Sequence, residues 1–322
     1  MTNRTIPTNA AKPEAATSRT APKTSAQLAF AKMHGLGNDF VVFDARATGL
    51  HLTGEQARAI ADRRTGVGCD QIITIRNSED ADGFMRIQNA DGAEVEACGN
   101  AARCVGDLLM RESGARRATI ETVAGVLAAE PASGGRIAVD MGPAKLDWRD
   151  IPLARECDTL HVPFELGGFS DPVAVNMGNP HLVFLVADTE AVALTELGPR
   201  IEHDALFPRR TNVEFVQVLD RTRLRMRVWE RGVGITRACG SGACAAVVAA
   251  ARRGVAERHV EIVLDGGSLE LEWRTDGHVL MTGPVALSFT GELDAAAIHA
   301  MSPASRADPR HEQTRIMSRP AS

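Results

Sequence analysis

The sequence predicts an α+β fold built from two similar halves, and a repeat is the first observation behind this prediction. Two Ala-Cys-Gly elements contain Cys98 and Cys239, which lie 141 positions apart. A constant offset over a long span indicates two copies of one structural unit. The same offset aligns further residues without gaps: Gly37-Asn38 with Gly178-Asn179, Val42-Phe43 with Val183-Phe184, Gln71 with Asn212, Met85-Arg86-Ile87 with Met226-Arg227-Val228, and Gly142-Pro143 with Gly283-Pro284.

The second observation is that short β-rich segments fill most of the chain. Turn residues separate them, including the two glycines ahead of Asn38 and the turn sequence Asn89-Ala90-Asp91-Gly92. Many short strands with few helices favour a sheet-rich fold. The predicted strands are residues 28–33, 41–43, 72–75, 84–88, 119–123, 126–130, 136–141, 182–186, 212–218, 224–229, 260–264, 269–273 and 279–282.

The third observation is a pair of helices at equivalent positions of the repeat. Apolar residues recur at helical spacing over residues 100–110, and small apolar residues fill residues 242–252. We expect the second helix to be central and buried, because it is thin and apolar all round. Cys98 and Cys239 each precede one of these helices. A further helix is predicted after the N-cap residue Thr53, and a helix-like segment covers residues 195–206.

Length and charge narrow the classes of function. A chain of 322 residues suits about two domains. A net charge of −5 provides no basic surface for a phosphate backbone, so we expect no nucleic-acid partner. No apolar run approaches the roughly 18 residues that cross a bilayer, so we expect no membrane partner. A small-molecule ligand is the favoured alternative.

The six cysteines predict thiols in a reducing, cytoplasmic environment. They are Cys69, Cys98, Cys104, Cys157, Cys239 and Cys244, and no apolar signal-peptide region precedes them. Five residues separate Cys98 from Cys104, and four separate Cys239 from Cys244. Neither spacing is that of a zinc ribbon, so we expect no metal. The sequence contains no dinucleotide fingerprint and no P-loop, although motifs alone leave a pyridoxal lysine open.

Two matched thiols at helix N-termini suggest proton transfer on both faces of one substrate. The helix dipole and the unsatisfied backbone N–H groups favour a thiolate at such a position. One thiolate could remove a proton from a carbon while the opposite thiol delivers a proton, which inverts that carbon. The backbone N–H groups of Gly99-Asn100 and Gly240-Ser241 could bind a substrate carboxylate.

The cysteines also have simpler interpretations. Cys104 and Cys244 fall within the helices, where packing alone is the usual role. Cys69 and Cys157 have no counterparts in the repeat and are interpreted as structural. Cys98 and Cys239 could instead form a redox pair, or one could be a nucleophile. The sequence has neither a C-x-x-C motif nor a thiol-hydrolase signature to support those two alternatives.

Seven motifs, in order between about Phe30 and Glu292, resemble those of the diaminopimelate epimerase family. Ala101 stands where this family commonly has Gly, and Ser241 stands where it often has Thr; both changes keep a small residue. The motifs are His34-Gly35-Leu36-Gly37-Asn38-Asp39-Phe40, Gly66-Val67-Gly68-Cys69-Asp70-Gln71, Asn89-Ala90-Asp91-Gly92, Cys98-Gly99-Asn100-Ala101-Ala102-Arg103-Cys104, Gly178-Asn179-Pro180-His181, Glu230-Arg231-Gly232 and Ala238-Cys239-Gly240-Ser241-Gly242.

The resemblance implies a homodimeric enzyme that uses no cofactor and interconverts LL- and meso-diaminopimelate in lysine and peptidoglycan-precursor synthesis. It also implies two pseudo-symmetric domains, each a mostly antiparallel sheet or barrel around a central helix, with the active site between them. The catalytic acid–base pair would be Cys98 and Cys239, and His181 and Glu230 would adjust the thiol pKa values. The implied substrate-binding residues are Asn38, Gln71, Asn89, Gly99, Asn100, Asn179, Asn212, Glu230, Arg231, Gly240 and Ser241.

Two alternatives within the same fold stay open at this point. A proline or hydroxyproline racemase would use the same thiol pair. Arg231 and the asparagine side chains argue instead for a longer substrate with two amino-acid ends, because they could clamp the distal end. A non-catalytic binding or redox-sensing relative is the other alternative.

The predicted domain organisation places most of the chain in two units. Residues 28–143 with about 285–297 form the first domain, and residues 144–284 form the second. Residues 1–27 are expected to be a disordered extension, because their Thr-, Ser-, Ala- and Pro-rich composition cannot form a core. An organellar transit peptide is the alternative for this segment. Residues 298–322 are expected to be a disordered tail.

Overall fold

The computed structural model describes residues 27–294. The predictions for the N-terminal extension and the C-terminal tail therefore lie outside the described residues, except for Gln27, which begins the first strand. Four α-helices lie within these residues: α1 (Gly54–Ala61), α2 (Gly99–Ser113), α3 (Leu194–Glu202) and α4 (Gly240–Arg252). Within the same residues, no helix has the length and apolar character that a membrane span requires.

Strands make up the rest of the regular structure. The first half contains β1 (Gln27–Gly35), β2 (Asn38–Asp44), β3 (Gln71–Arg76), β4 (Gly83–Asn89), β5 (Glu94–Val95), β6 (Ala118–Thr122), β7 (Gly125–Pro131) and β8 (Ile137–Pro143). The second half contains β9 (Glu165–Leu166), β10 (Phe169–Ser170), β11 (Val173–Asn176), β12 (Pro180–Val186), β13 (Asn212–Asp220), β14 (Arg223–Glu230), β15 (Gly234–Ile235), β16 (His259–Leu264), β17 (Gly267–Trp273) and β18 (His278–Gly283). The last strand is β19 (Ala286–Asp294).

One continuous sheet of 17 strands runs through both halves. Strand β8 pairs antiparallel with β18, which joins the sheet of one half to that of the other. Strand β19 pairs antiparallel with β1, so the end of the described chain returns to the first half. Most neighbours are antiparallel. The exceptions are β2 with β3, β4 with β6, β12 with β13, and β14 with β16.

The repeat in the sequence reappears as a repeat in strand register. Phe40 lies opposite Gln71 in the parallel pair β2 and β3, and His181 lies opposite Asn212 in the parallel pair β12 and β13. Both members of the second pair lie 141 positions beyond those of the first. The two halves are therefore copies at the level of individual residue positions, and residues at this offset occupy equivalent places.

Each half wraps its strands around one helix, as predicted. Helix α2 packs against β1, β4, β6, β7 and β8, whereas α4 packs against seven strands from β11 to β18. Residues 240–250 of α4 are all buried. This burial explains the small-residue composition, because close packing on every side leaves room for little more than Ala and Val.

The sequence predicted the start of one helix correctly and the end of another incorrectly. Thr53 caps α1 with a complete capping box, in which its hydroxyl accepts from the Gln56 N–H. The segment predicted to be helical over residues 195–206 ends at Glu202. Just beyond it, the Asp204 carboxylate accepts a hydrogen bond of 2.9 Å from the Leu206 N–H. Such local side-chain bonds compete with helix continuation.

The N-termini of α2 and α4 meet through glycine. A Cβ atom added to Gly240 would lie 3.3 Å from the Gly99 Cα atom, and one added to Gly99 would lie 2.6 Å from the Met281 Cε atom. A side chain at Gly240 would press on the backbone of α2, and one at Gly99 would have to displace the Met281 side chain. Because Cys98 and Cys239 immediately precede these glycines as N-cap residues, this approach brings both cysteines to the junction of the two halves.

A strained hairpin turn positions Asn38 beside this junction. Leu36 and Gly37 connect β1 to β2 with φ angles of 57° and 81°, as in a type I′ turn. The left-handed conformation is costly for leucine. Gly266, from the second half, packs so closely that an added Cβ atom would lie 1.9 Å from the Leu36 carbonyl oxygen.

We predict that Gly266→Ala destabilises the protein and weakens its activity, because the new methyl group must displace the turn that carries Asn38. The expected loss is about 1–3 kcal/mol in the free energy of unfolding, as is typical of overpacking. Urea denaturation of Gly266→Ala and of the neighbouring control Ser268→Ala measures this. An unchanged midpoint for Gly266→Ala would contradict the close contact.

Candidate active site

A cavity of about 740 Å³ opens at the junction of the two halves, where α2 and α4 begin. Both Cys98 and Cys239 line it. Such a volume is within the usual range for small-molecule sites. Most of the site residues implied by the resemblance also line it: Asn38, Gln71, Asn89, Gly99, Asn100, Asn179, Glu230, Gly240 and Ser241.

Three of the implied site residues lie behind the cavity wall or outside it. Asn212 is buried, where its Nδ2 donates to the Pro180 carbonyl at 2.8 Å and its Oδ1 accepts from the Arg231 N–H at 2.9 Å. The Arg231 guanidinium lines a smaller neighbouring cavity of about 260 Å³ and donates to the Glu96 carboxylate at 2.8 Å. His181 is fully buried behind Asn179.

Cys98 contacts an amide oxygen and lies at a helix start. Its Sγ atom lies 3.8 Å from the Asn38 Oδ1 atom, toward which the thiol can donate. The same oxygen accepts from the Asn100 Nδ2 atom at 3.1 Å. Burial raises the pKa of the Cys98 thiol to about 12, and the backbone N–H of Ala101 offsets only part of this. The protonated thiol is therefore the stable form of Cys98 in this structure.

Cys239 lies among acidic and hydroxyl groups. Its Sγ atom accepts from the Gly242 N–H at 3.4 Å and lies 3.6 Å from the Ser241 hydroxyl. Burial raises the pKa of the Cys239 thiol well above its ordinary value, and the carboxyl groups of Glu230 and Glu214 raise it further. The backbone N–H groups at the two helix starts lower the pKa of both thiols, but desolvation outweighs this contribution.

Glu230 can exchange a proton with Cys239. Its carboxyl group accepts hydrogen bonds from the Thr236 hydroxyl and from the Cys239 thiol. Burial raises the pKa of Glu230 from 4.5 to about 7, whereas these two hydrogen bonds lower it. A carboxyl group with a pKa near neutrality is suited to general acid–base work at physiological pH. Thr236 had no signal in the sequence analysis.

Asn100 connects the two halves directly. Its Oδ1 atom accepts from the Arg103 Nη2 atom at 2.8 Å, and its Nδ2 atom donates to the Ala238 carbonyl at 3.0 Å. The Arg103 side chain is fully buried. Because a guanidinium can only donate, it fixes which end of the Asn100 amide faces the second half. Asn100 therefore ties the start of α2 to the residue preceding Cys239.

An ion-pair network also lines the cavity. The Asp39 carboxylate accepts from the Arg63 guanidinium at 3.0 and 2.7 Å and from the Lys32 ammonium at 2.5 Å. Burial alone would raise the pKa of Asp39, but these hydrogen bonds outweigh it and lower the pKa strongly. Arg63 also pairs with Asp70 at 2.7 Å. The sequence analysis missed this network, although two recognised motifs contain Asp39 and Asp70.

A buried carboxylate behind the cavity was also missed. The Glu214 Oε1 atom lies 2.7 Å from the His181 Nδ1 atom, and both side chains are fully inaccessible to solvent. The repeat offered a signal for this pair, because Glu214 lies at the position equivalent to Ile73. Among the described residues, no group of three or more His, Cys, Asp and Glu side chains could hold a metal ion.

The duplicated fold with a cavity between its halves defines a structural class that comparison with solved structures identifies. A probable proline racemase from Agrobacterium radiobacter matches with a TM-score of 0.61 and 16% identity, over 83% of this chain and 93% of that one. A PhzF-family phenazine biosynthesis protein from Bacillus anthracis matches with a TM-score of 0.59 and 16% identity, over 83% and 99% of the two chains. The predicted two-domain α+β fold is confirmed.

Sequence comparison identifies the family. The diaminopimelate epimerase family profile matches residues 30–146 and 173–288. Diaminopimelate epimerase of Rhodospirillum centenum is 60% identical over 266 residues, which are 82% of this chain and 91% of that protein. The Acidiphilium cryptum enzyme of that name is 57% identical over 269 residues, 84% and 97% of the two chains. The chain belongs to the diaminopimelate epimerase family, which confirms the resemblance and the predicted class of enzyme, an isomerase.

We predict that Glu230 makes the stability of the protein depend on pH. Its folded-state pKa of about 7 exceeds the ordinary 4.5, so the folded state holds a proton that the unfolded state releases between these values. This contribution is present in full below pH 4.5 and is lost as the pH rises past 7, with an upper limit of about 3 kcal/mol.

Unfolding free energies of the wild type and of Glu230→Gln, measured between pH 5 and pH 8, test this. Glutamine does not titrate, so the fall in stability with pH should be shallower in Glu230→Gln. Parallel curves for the two proteins would contradict the raised pKa.

Proposed function

We propose that this chain interconverts LL-2,6-diaminopimelate and meso-diaminopimelate without a cofactor, with Cys98 and Cys239 as the acid–base pair. The observation that carries the proposal is that two cysteines at equivalent positions of a duplicated fold open onto one cavity. Each is the N-cap residue of the central helix of its half. Family membership supports the substrate, because the relatives at 60% and 57% identity are named diaminopimelate epimerase.

The proposed reaction is a proton exchange at one α-carbon. One sulfur, as the thiolate, takes the α-proton, and the bonding electrons remain on the carbon as a carbanion. The opposite thiol gives its proton to the other face, which inverts the centre and leaves that sulfur as the thiolate. In the reverse direction the two sulfurs exchange roles. Glu230 would accept the Cys239 proton that must leave before Cys239 can act as base.

The helix starts are suited to hold the carboxylate beside the reacting carbon. Gly99, Asn100, Gly240 and Ser241 line the cavity at the first turns of α2 and α4. Backbone N–H groups in the first turn of a helix have no partner within the helix, and the helix dipole favours an anion there. Negative charge that develops on the carboxylate in the transition state would be stabilised in the same way.

Amide side chains are proposed to bind the rest of the substrate. Asn38, Gln71, Asn89 and Asn179 line the cavity, and the Gln71 Nε2 atom donates to the Asn89 Oδ1 atom at 2.9 Å. Asn212 is proposed to act by holding the Arg231 backbone. Arg231 would clamp the distal carboxylate, which requires its guanidinium to turn from Glu96 toward the cavity. Arginine suits this role because it binds carboxylates through two parallel hydrogen bonds.

Loss of α-proton signal in heavy water tests the activity. With LL-diaminopimelate and no added cofactor, the wild type should exchange the α-proton and form the meso isomer. Cys98→Ala and Cys239→Ala should each lose at least about 10²-fold in epimerisation, the usual effect of removing one acid–base group. Cys244→Ala is the matched control, because Cys244 is buried in α4. A wild-type protein without exchange would refute the epimerase proposal.

The same experiment separates the alternatives. Proline and hydroxyproline, supplied in place of diaminopimelate, should show no exchange. Solved proline racemase and hydroxyproline epimerase structures are 16% and 14% identical to this chain, which supports a common fold and not a common substrate. A non-catalytic relative would exchange none of the three compounds.

We also propose that the domain division is that of the sequence analysis, residues 28–143 with about 285–297 and residues 144–284. The pairing of β19 with β1 supports the return of the chain to the first unit. A cytoplasmic location is proposed because all six cysteines are free thiols, as in reducing compartments. The meso product would serve lysine and peptidoglycan-precursor synthesis.

A homodimer is proposed, with β19 at the contact between subunits. Within the described residues β19 has β1 as its one strand neighbour, and Leu287 and Phe289 on it are 52% and 50% exposed. A sheet edge with exposed apolar side chains favours association. Sedimentation equilibrium should give a dimer for the wild type and a monomer for Phe289→Glu. A monomeric wild type, or a dimeric Phe289→Glu, would contradict this proposal.

A further inference from the structure

We propose that Glu214 is a positioning residue of this site, which holds the His181 ring with a proton on its Nε2 atom and through it fixes the amide of Asn179 at the cavity wall. This inference rests on the proposed function for its effect on turnover. The protonation state of His181 does not depend on that function and can be measured separately.

The His181 ring makes a hydrogen bond on each of its two sides. The Nδ1 atom lies 2.7 Å from the Glu214 Oε1 atom, and the Nε2 atom lies 2.8 Å from the Asn179 Oδ1 atom. The Asn179 oxygen can only accept, so the Nε2 atom carries the proton of that hydrogen bond. Burial raises the pKa of the Glu214 carboxyl, which can meet Nδ1 either as a carboxylate that accepts from the ring or as an acid that donates to it. In both forms Glu214 holds the ring and leaves the Nε2 proton for Asn179.

Gly242 leaves space for the Glu214 carboxyl group beside Cys239. A Cβ atom added to Gly242 would lie 2.7 Å from the Glu214 Oε1 atom and 3.2 Å from the Cys239 Sγ atom. Only glycine at this position in α4 accommodates both groups. The Oε2 atom of Glu214 is buried without a hydrogen-bond partner among the described residues. The carboxyl group is therefore held at a cost, as buried unsatisfied polar atoms are.

The first half supplies a control, because the same three places there are apolar. At the repeat offset, His181 corresponds to Phe40, Glu214 to Ile73 and Gly242 to Ala101. Those three residues are fully buried. A buried hydrogen-bonded pair is often no more stabilising than apolar residues of similar volume. The fold can therefore accommodate apolar residues at these three positions. Folding does not require the polar pair of the second half, so we assign that pair a role at the site.

The contact between Glu214 and His181 affects Asn179, which lines the cavity. With its Oδ1 atom committed to His181, the Nδ2 atom is the donor that Asn179 can offer to a substrate carboxylate. Without the proton on His181 Nε2, nothing would favour this orientation of the amide over the flipped one. The titratable groups that face the pair are Glu230, which both His181 and Glu214 influence, and Cys239, which Glu214 influences.

The protonation state is measured by imidazole ¹⁵N NMR of the full chain. His181→Phe identifies the His181 signals among those of nine histidines. In the wild type at pH 7.5, the His181 Nε2 atom should have the shift of a protonated ring nitrogen. The amide of Glu214→Gln can either donate or accept, so in that variant the shift should move toward the average of two exchanging tautomers. An unprotonated Nε2 atom in the wild type would overturn the inference.

Kinetics then test the positioning role. Glu214→Gln should lower kcat/KM for diaminopimelate by about 10²-fold, the scale of a misplaced substrate, mainly through a higher KM. The double variant His181→Phe/Glu214→Ile reproduces the apolar pair of the first half, so it should fold with an unfolding midpoint at or above that of the wild type. It should nevertheless lose at least as much kcat/KM.

Each outcome has one interpretation. If the double variant folds and keeps the wild-type KM, the pair does not position substrate and the inference fails. If Glu214→Gln does not fold, the double variant still decides the question. If the wild type shows no α-proton exchange at all, the proposed function fails, whereas the ¹⁵N result continues to test the proton on His181 Nε2.

Discussion

The close approach of two helix N-termini is the constraint on which the rest of the structure depends. Gly99 and Gly240 allow α2 and α4 to meet almost backbone to backbone, and the residue before each glycine is a cysteine. The strands of each half surround its helix, and the pairing of β8 with β18 joins the two halves. These contacts hold the two helix starts together. Asn100 then connects the start of α2 to the Ala238 carbonyl. One cavity with a thiol from each half follows from this arrangement.

The two halves have equivalent backbone positions, but the groups that surround the two thiols differ. Cys98 faces the amide oxygen of Asn38, whereas Cys239 lies close to two buried carboxyl groups. The residue equivalent to Glu230 in the first half is Asn89. Both thiols have raised pKa values, so an epimerase of this construction must provide a proton acceptor or a bound cation to generate a thiolate. Glu230 is suited to be that acceptor for Cys239, to which it is hydrogen-bonded, and its charge also raises the pKa of Cys98.

The sequence was sufficient for features that depend on local or repeated patterns. The constant offset predicted the duplication, the Thr53 capping box predicted the start of α1, and small residues predicted the burial of α4. Contacts between distant segments left no such pattern. Glu214 lies between the apolar residues Val213 and Phe215, and the partner of Arg231 is a glutamate from the other half. The net direction of the thiol pKa shifts could not be predicted from the sequence, because a helix start is visible in a sequence, whereas the extent of desolvation is not.

The central claim is that two sulfurs act on opposite faces of a single carbon. A crystal structure of the chain with an unreactive diaminopimelate analogue bound tests it most directly. The account predicts both Sγ atoms within about 3.5 Å of the reacting α-carbon, the separation typical of reacting groups, with one sulfur on each face. An analogue bound elsewhere, or one whose α-carbon contacts only one of the two sulfurs, would contradict it.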